Sequence, residues 1–504
     1  AMNEKYLNIF GHDVGVINSR IALDRGVPRW DPIDVMQEYQ RRSLNRCNTD
    51  LIRIYANQSG ECFDWFIDAL DPAYKEHLGI EFEHPPKYYE WEYHGYKTFV
   101  GTMKFPHTKE YGLPQAIKDT IALFQAKGGV THFFTRAEYL EKADGRVTGV
   151  ICQDRATKEY IRLNANKGVI LAAGDFSGNQ EMVYDLMDEF AELTHNGERY
   201  PDMPFLGRDG SGIKMGLWAG GHIQEGLRGG MYCSACGQAG MMGAAPFLKL
   251  NANGKRYTNE GIMGHFGSGY RAIRQPGGYI YTIWDDNWPE QLQYFTTEHV
   301  SPDINNPDHG EAFMRQVFQH LFEDRKDKVQ GDEKQKQAEF EKMMEDQRLQ
   351  YGPDWKPTKR MPGPQCETFA AYSLEELADK LGFEGEAKEN FLRSIERYNE
   401  LARLGRDEDY AKDARLLFPI EKAPFYGVRT VKDAQGVFVS TAGLVVDGNQ
   451  QVLDDDLAPI PGLFASGNCA GEVFPISYFT PVSGSSIGTC QTLGRAVGRY
   501  VGSL

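Results

Sequence analysis

The sequence predicts an α/β fold in which both ends of the chain build one domain and a smaller α+β unit is inserted between them. Three observations carry this expectation. Lys167-Gly-Val-Ile-Leu-Ala-Ala-Gly174 is a short continuous apolar run closing on glycine, the pattern of a strand buried on both faces. Pro461-Gly-Leu-Phe-Ala-Ser-Gly-Asn468 repeats that pattern near the other end, and Ser483-Gly-Ser-Ser-Ile-Gly488 then opens an apolar run to Val501 that reads as a helix. After Gly229 the texture changes to aromatic-rich loops and a long polar stretch, and short strands return from Phe425.

Element by element, Asp31 to Leu70 carries helical spacing of apolar residues (Val35, Tyr39, Leu51, Ile54, Phe63, Phe66), interrupted near Asn48. Gln115–Lys127 reads as an amphipathic helix with Gly128-Gly129 as its C-cap. Strands follow at Thr131–Leu140, Val147–Gln153 and Tyr160–Leu163, with Ala143-Asp-Gly-Arg146 as a hairpin turn. Helices are expected at Gln180–Leu193 and, beyond Gly207-Arg-Asp-Gly210-Ser-Gly212, at Ile213–Ala219. Glu323–Lys359, dense in Lys, Glu, Gln and Asp, reads as a solvated helix, and Ser373–Arg403 as a further helical region. The division expected is 1–228 and 432–504 for the main domain, with 229–431 as a cap.

A chain of 504 residues can bury two or three cores. Its formal charge of −16 argues against nucleic acid or an anionic membrane as partner. No apolar run approaches the roughly 20 residues that span a bilayer. Eight widely spaced cysteines suit a reducing compartment, so a cytoplasmic location is expected. Cys233-Ser-Ala-Cys236 has the form of a redox pair or half a metal site, but no second pair stands at metal spacing and no thioredoxin-like pattern surrounds it; no metal is expected.

The chemistry-bearing positions are glycine turns. Val169-Ile-Leu-Ala-Ala-Gly174-Asp-Phe176 is a strand ending on small residues, against whose backbone a flat ligand can lie. Ser483-Gly-Ser-Ser-Ile-Gly488 directs free N–H groups and the positive end of a helix dipole outward. Gly267-Ser-Gly269 and Gly210-Ser-Gly212 mimic a dinucleotide fingerprint but lack the strand before and the acidic residue after.

Taken in order, these motifs resemble the flavoproteins of the fumarate reductase/succinate dehydrogenase and 3-ketosteroid dehydrogenase superfamily. Asp175 stands where that family's Ala-Thr-Gly-Gly-Phe stretch has a second glycine, Gly207-Arg-Asp-Gly210 resembles its Gly-Asp-Gly turn, and Leu250-Asn-Ala-Asn-Gly254-Lys-Arg256-Tyr257-Thr-Asn259-Glu260 resembles its Val-Asn-x-x-Gly-Lys-Arg-Phe-x-Asn-Glu. The resemblance implies a Rossmann-like FAD-binding domain with an inserted capping domain, and FAD as the hydride carrier. It implies cofactor contacts at Ala137, Ala173, Gly174, Asn468, Ser485, Ser486 and Ile487. His265, Tyr270, Arg271 and Tyr478 are the implied catalytic candidates, with Arg271 in reserve as proton donor and Arg274 in the same polar cluster. Arg256 and Glu260 are read as a structural ion pair.

Two departures shape the expectation. Positions where fumarate-reducing members carry arginine or histidine fall on Gly264, Val439–Ser440 and Pro481, so a neutral, partly apolar enone- or acrylate-like substrate is expected in place of a dicarboxylate. The strand–Gly-x-Gly-x-x-Gly–helix unit of the family has no counterpart in this sequence, which makes the expected Rossmann unit incomplete. A truncated chain, a split protein completed by a second chain, and a flavin-free binding module remain three accounts of that gap. Electrons are expected from an external donor, since no haem-attachment motif is present.

Overall fold

A computed structural model describes residues 11–81, 87–88, 92–93, 96–187, 208–232, 242–243, 245–261, 272, 274–294, 304–307, 310–322, 366–431, 437–478 and 481–504. His265, Tyr270, Arg271, the Cys233/Cys236 pair, Gly264 and the 323–359 stretch lie outside these residues.

The first strand, β1 (Asp13–Gly15), pairs antiparallel with β3 (Thr102–Lys104), which also pairs with β2 (Gly79–Ile80). Between β1 and β2 run two long helices, α1 (Pro32–Arg42) and α2 (Thr49–Asp68), flanked by short helical turns at Arg20–Asp24 and Ala73–His77. The break expected near Asn48 is the N-cap of α2: the Asn48 side chain accepts the N–H groups of Asp50 and Leu51 at 3.2 and 3.3 Å. Asp31 caps α1 in the same way, with Pro32 in the first turn. Helix α2 buries Leu51, Tyr55, Phe63 and Ile67 and lies along the C-terminal helix, α8 (Ser485–Ser503). Burying such side chains contributes about 1.5–3 kcal/mol each. The strand β1 crosses the start of α8 so closely that a Cβ on Gly488 would sit 1.8 Å from the carbonyl oxygen of Gly15. Helix α3 (Leu113–Ala126) buries only Leu113 and Ala116 and leaves Leu123 and Phe124 exposed.

The expected meander is present as β4 (Thr135–Ala143), β5 (Arg146–Asp154) and β6 (Tyr160–Asn164), antiparallel throughout. It leads to β7 (Val169–Leu171), then α4 (Gln180–Leu186) and α5 (Ser211–Trp218). The strand is shorter and less buried than its apolar run predicts. Ala172 and Ala173 are exposed and Val169 and Ile170 only half-buried. The reason is topological: β7 has one partner, and its other edge carries no strand among the described residues.

The crossings into and out of the inserted region pair with each other: β8 (Gly230–Tyr232) lies antiparallel to β13 (Val437–Ser440). Between them β9 (Leu248–Asn251), β10 (Tyr279–Asp285), β11 (Cys366–Ala371) and β12 (Phe425–Val431) form one antiparallel sheet in the order β9-β10-β12-β11. The helical region expected over 373–403 is two helices, α6 (Leu374–Leu381) and α7 (Gly385–Leu404), divided at Gly382, whose φ of +87° no helix interior accommodates. The Ala252-Asn-Gly254 turn is made, but its return arm gives a single bridge, Leu250 to Arg256; β9 takes β10 as its strand partner.

Arg256 and Glu260 form the expected ion pair at 2.8 Å, and Arg256 also holds Asp407 at 2.7 Å. Lys412 approaches Glu260 at 3.4 Å, and Lys249 Nζ donates to the carbonyl of Gly243 at 2.9 Å. This buried network joins β9, the turn after it and the segment following α7. Its role is to cross-link the cap.

The chain then returns through β14 (Gln451–Leu453) and β15 (Pro459–Ala465), which pairs antiparallel with β14 and parallel with β7, and ends in α8.

Candidate functional site

The parallel strands β7 and β15 both end on glycine turns, and ligands of open α/β sheets sit at the carboxyl ends of such strands. Gly174 follows β7 at φ +84°, and Gly467-Asn468 follow β15 with Gly467 at φ +59°. A Cβ at Gly174 would meet only the Cγ of Arg208, at 3.8 Å, so the backbone of 172–174 faces open space. The turn is organised by Asp175, which is fully buried. One carboxylate oxygen accepts Ser177 N–H at 2.7 Å, Ser440 N–H at 3.3 Å and the Ser440 hydroxyl at 3.2 Å. The other faces Arg208 Nη1 at 3.4 Å and accepts from Asn468 Nδ2 at 3.4 Å. Ser440 belongs to β13, so Asp175 ties this turn to the strand by which the chain leaves the cap.

Two thiols line the same turns. Cys469 Sγ donates to the carbonyl of Gly174 at 3.1 Å and accepts Ala173 N–H at 3.2 Å; Cys490 Sγ lies 3.8 Å from Asn468 Oδ1. Burial pushes both thiols up, Cys469 to about 12 and Cys490 to about 11, so both stay protonated and unreactive at neutral pH.

The start of α8 is the second half of the site. Gly484 is its N-cap at φ +72°, and the Ser486 N–H is donated to the phenol of Tyr478 at 3.0 Å. Tyr55 donates to the carbonyl of Gly15 at 2.9 Å and reaches the Ser485 hydroxyl at 3.5 Å. Tyr39 stacks edge-on against Tyr55 at 5.9 Å, Phe474 against Tyr478 at 4.9 Å, and the Tyr39 hydroxyl is buried with no hydrogen-bond partner. Burial raises all three phenols above the ordinary tyrosine range. They are therefore neutral hydrogen-bonding groups in an apolar surround.

Of the residues read from sequence, Gly174 and Asn468 meet at the carboxyl ends of the strands, and Ala173 is exposed beside them with its N–H directed at Cys469. Ser486 and Ile487 are half-buried at the start of α8. Ser485 is fully buried, its hydroxyl donating to Val482 O. Ala137 is half-buried on β4, at a bulge in the pairing with β5. Val439, Ser440 and Pro481 are all buried, and none brings a charge. Tyr39 and Tyr55 escaped the sequence reading because they lie on α1 and α2, far along the chain from Tyr478. The Asp175–Arg208 contact was signalled: both are charged residues inside turns otherwise built of small ones.

These features fit an extended flavin dinucleotide on the ground that matters most for a flat group, open glycine backbone at the crevice. Gly174, Ala173 and Asn468 would hold it at the strand ends, and Ser486 and Ile487 at the helix start. When bound, FAD supplies the hydride acceptor or donor that no side chain provides.

The fold is that of an FAD-dependent oxidoreductase. The profile of the FAD binding domain family matches residues 21–478, and the chain belongs to that family. Its relatives include the vinyl phenol reductase of Lactiplantibacillus plantarum, 25% identical over 479 residues that make up 93% of this chain and 83% of that one. The 4-oxocyclohex-2-ene-1-carboxylate 5-dehydrogenase of Sinomonas cyclohexanicum is 25% identical over 72% of this chain and 54% of its own length. The NADH:acrylate oxidoreductase of Vibrio harveyi is 25% identical over 73% of this chain, and only 30% of its own length is covered. Among solved structures, 3-ketosteroid Δ1-dehydrogenase from Sterolibacterium denitrificans superimposes with a TM-score of 0.64 at 17% identity, covering 98% of this chain and 92% of that one. A flavocytochrome c3 fumarate reductase gives 0.58 at 16% identity, covering 98% and 71%. Both share the fold of an FAD-binding domain with a capping domain.

Proposed function

We propose that this chain transfers hydride between FAD and an activated C=C bond of a neutral, partly apolar substrate of the enone, acrylate or vinyl-arene kind, with electrons from an external donor. The observation that carries this reading is the Tyr478 phenol, buried at the start of α8 among Tyr39, Tyr55 and Phe474. Neutral phenols polarise a carbonyl or phenol oxygen by hydrogen bonding and leave an apolar body beside it. Dicarboxylates require cations, and Val439, Ser440 and Pro481 supply none. The name of one relative, vinyl phenol reductase, supports the same class. Tyr478 would hold the substrate oxygen, and His265, Tyr270 and Arg271 remain the proposed proton donors. A reducing, cytoplasmic location is proposed on the six described cysteines, all free thiols.

The test has two stages. The visible spectrum of the purified chain is recorded with and without added FAD, and the dithionite-reduced, flavin-loaded protein is then mixed with 4-vinylphenol, cyclohexenone, methyl acrylate or fumarate. Reoxidation by the first three and not by fumarate is expected; saturable turnover of fumarate would overturn the substrate class.

A second reading, that another chain completes the domain, is favoured by the edge of β7 that carries no strand among the described residues, the exposed Ala172 and Ala173, and the exposed Leu123 and Phe124 of α3. A colourless chain that ignores FAD alone but gains it when co-expressed with a partner would support that reading.

A further inference from the structure

We propose that Arg208 is an anion-binding residue for the diphosphate of FAD, an inference that rests on the flavin reading above. The argument begins with order along the crevice. At one end lies Ala137 on β4, whose neighbour Arg136 places Nη2 3.2 Å from Asp209 Oδ2. Arg208, which precedes Asp209 in the chain, places Nη1 3.4 Å from Asp175 Oδ2. Asp175 Oδ2 in turn accepts from Asn468 at 3.4 Å, and Asn468 Oδ1 faces Cys490, one turn into α8, at 3.8 Å. The contacts thus run Arg136–Asp209, Arg208–Asp175, Asn468, Cys490, from the β4 end to the first turns of α8.

FAD is a linear molecule with its diphosphate between adenosine and flavin. With adenine at Ala137 and the ring at α8, the diphosphate crosses the middle, over Gly174 and beside Arg208. That position is also the carboxyl end of β7, where α/β sheets place phosphates. The guanidinium is the right group there, since its planar fork matches phosphate oxygens. Its side chain is 18% exposed and its aliphatic stem lies against the open face of Gly174, at 3.8 Å from the position of a Cβ.

Two acidic residues share the neighbourhood, and both are engaged. Asp175 is surrounded by donors from Ser177, Ser440, Asn468 and Arg208, while Asp209 accepts Ser211 N–H at 2.9 Å and faces Arg136. The Asp175 carboxylate positions the guanidinium before any ligand arrives, which lowers the entropy lost on binding. The two charges also occur as a set. Asp175 replaces a glycine of the strand-end turn, and Arg208 interrupts a Gly-Asp-Gly turn; each alone would be a charge out of place.

The experiment compares FAD with riboflavin, which lacks the diphosphate. The purified full chain is titrated with each by flavin fluorescence, as wild type, Arg208→Gln and Arg208→Lys, with ADP as competitor. Arg208→Gln should weaken FAD about tenfold to hundredfold and weaken ADP competition by the same factor, leaving riboflavin affinity unchanged. Arg208→Lys should keep most of the preference for FAD. Equal FAD affinity in wild type and Arg208→Gln, or equal loss of both flavins, would overturn the role of Arg208 alone. A wild-type chain that binds neither flavin would overturn this inference together with the flavin reading.

Discussion

The phenol of Tyr478 accepts the backbone N–H of Ser486 at 3.0 Å, so one donor at the start of the C-terminal helix is already bound to a side chain. The glycine-rich helix start therefore does not present all its N–H groups to a ligand. One of them instead fixes the orientation of a buried phenol.

Tyr478→Phe removes that acceptor from the half-buried Ser486 N–H, at a cost of about 1 kcal/mol. If the phenol also holds the substrate oxygen, turnover falls by about a hundredfold or more, well beyond the stability loss. Thermal unfolding and single-turnover flavin reoxidation measured on the same preparation separate the two effects. Unchanged turnover would remove Tyr478 from the mechanism.

Tyr39→Phe should behave in the opposite way toward stability. Its buried hydroxyl lies near those of Tyr55 and Ser485 but makes no hydrogen bond of good geometry to either, and deleting it relieves a desolvation penalty of about 1 kcal/mol. A higher unfolding midpoint is expected in the ligand-free protein. A lower one would show that the hydroxyl is satisfied in solution.

Gly488→Ala should disrupt the seam between β1 and α8. The added Cβ would lie 1.8 Å from the carbonyl oxygen of Gly15, backbone against backbone, so one element must move. Overpacking of this kind costs about 3 kcal/mol. Chemical denaturation reads the loss, whereas Gly494→Ala on the same helix, with nothing within 4 Å, should be tolerated.

The buried network of the cap makes stability depend on pH in two windows. Burial pushes Glu260 and Asp407 upward, but Lys412 and Arg256 beside Glu260, and Arg256 beside Asp407, hold both carboxyls below their ordinary values. The unfolded chain takes up these protons first on acidification, so their contribution is complete above about pH 5 and is lost as pH falls through the depressed folded values. Burial pushes Lys249 and Lys412 down to about 8 from 10.5, so between those limits the unfolded chain holds more protons and stability rises with pH. Unfolding midpoints from pH 3 to 10 should follow both slopes. Glu260→Gln, which takes the carboxylate from buried Lys412 and one of the two held by Arg256, should cost about 3–5 kcal/mol and flatten the acid limb.

Much of this was legible before folding. Asn48 announced the break between α1 and α2 because a short polar side chain bonds the local backbone, and Gly128-Gly129 marked a helix end for the converse reason. The family motifs marked Gly174, Asn468 and the α8 start, of which the first two meet at the strand ends, and the Lys-Arg-Tyr motif placed the Arg256–Glu260 pair. The second partner of Arg256, Asp407, was not legible; neither was the division of 373–403 at Gly382, where apolar spacing continues through a left-handed glycine.

What the amino-acid order determined by itself is therefore local: caps, turns, strand runs, and which residue types stand at the two glycine turns. These rest on hydrogen bonds and steric limits within a few residues. The tertiary structure alone decided which distant groups meet. It brought Tyr39 and Tyr55 to Tyr478, set Arg208 against Asp175, and left β7 at the edge of its sheet among the described residues, with Ala172 and Ala173 exposed. Such meetings depend on the packing of whole elements, since two residues far apart in the chain carry no mark of each other until the core between them is closed.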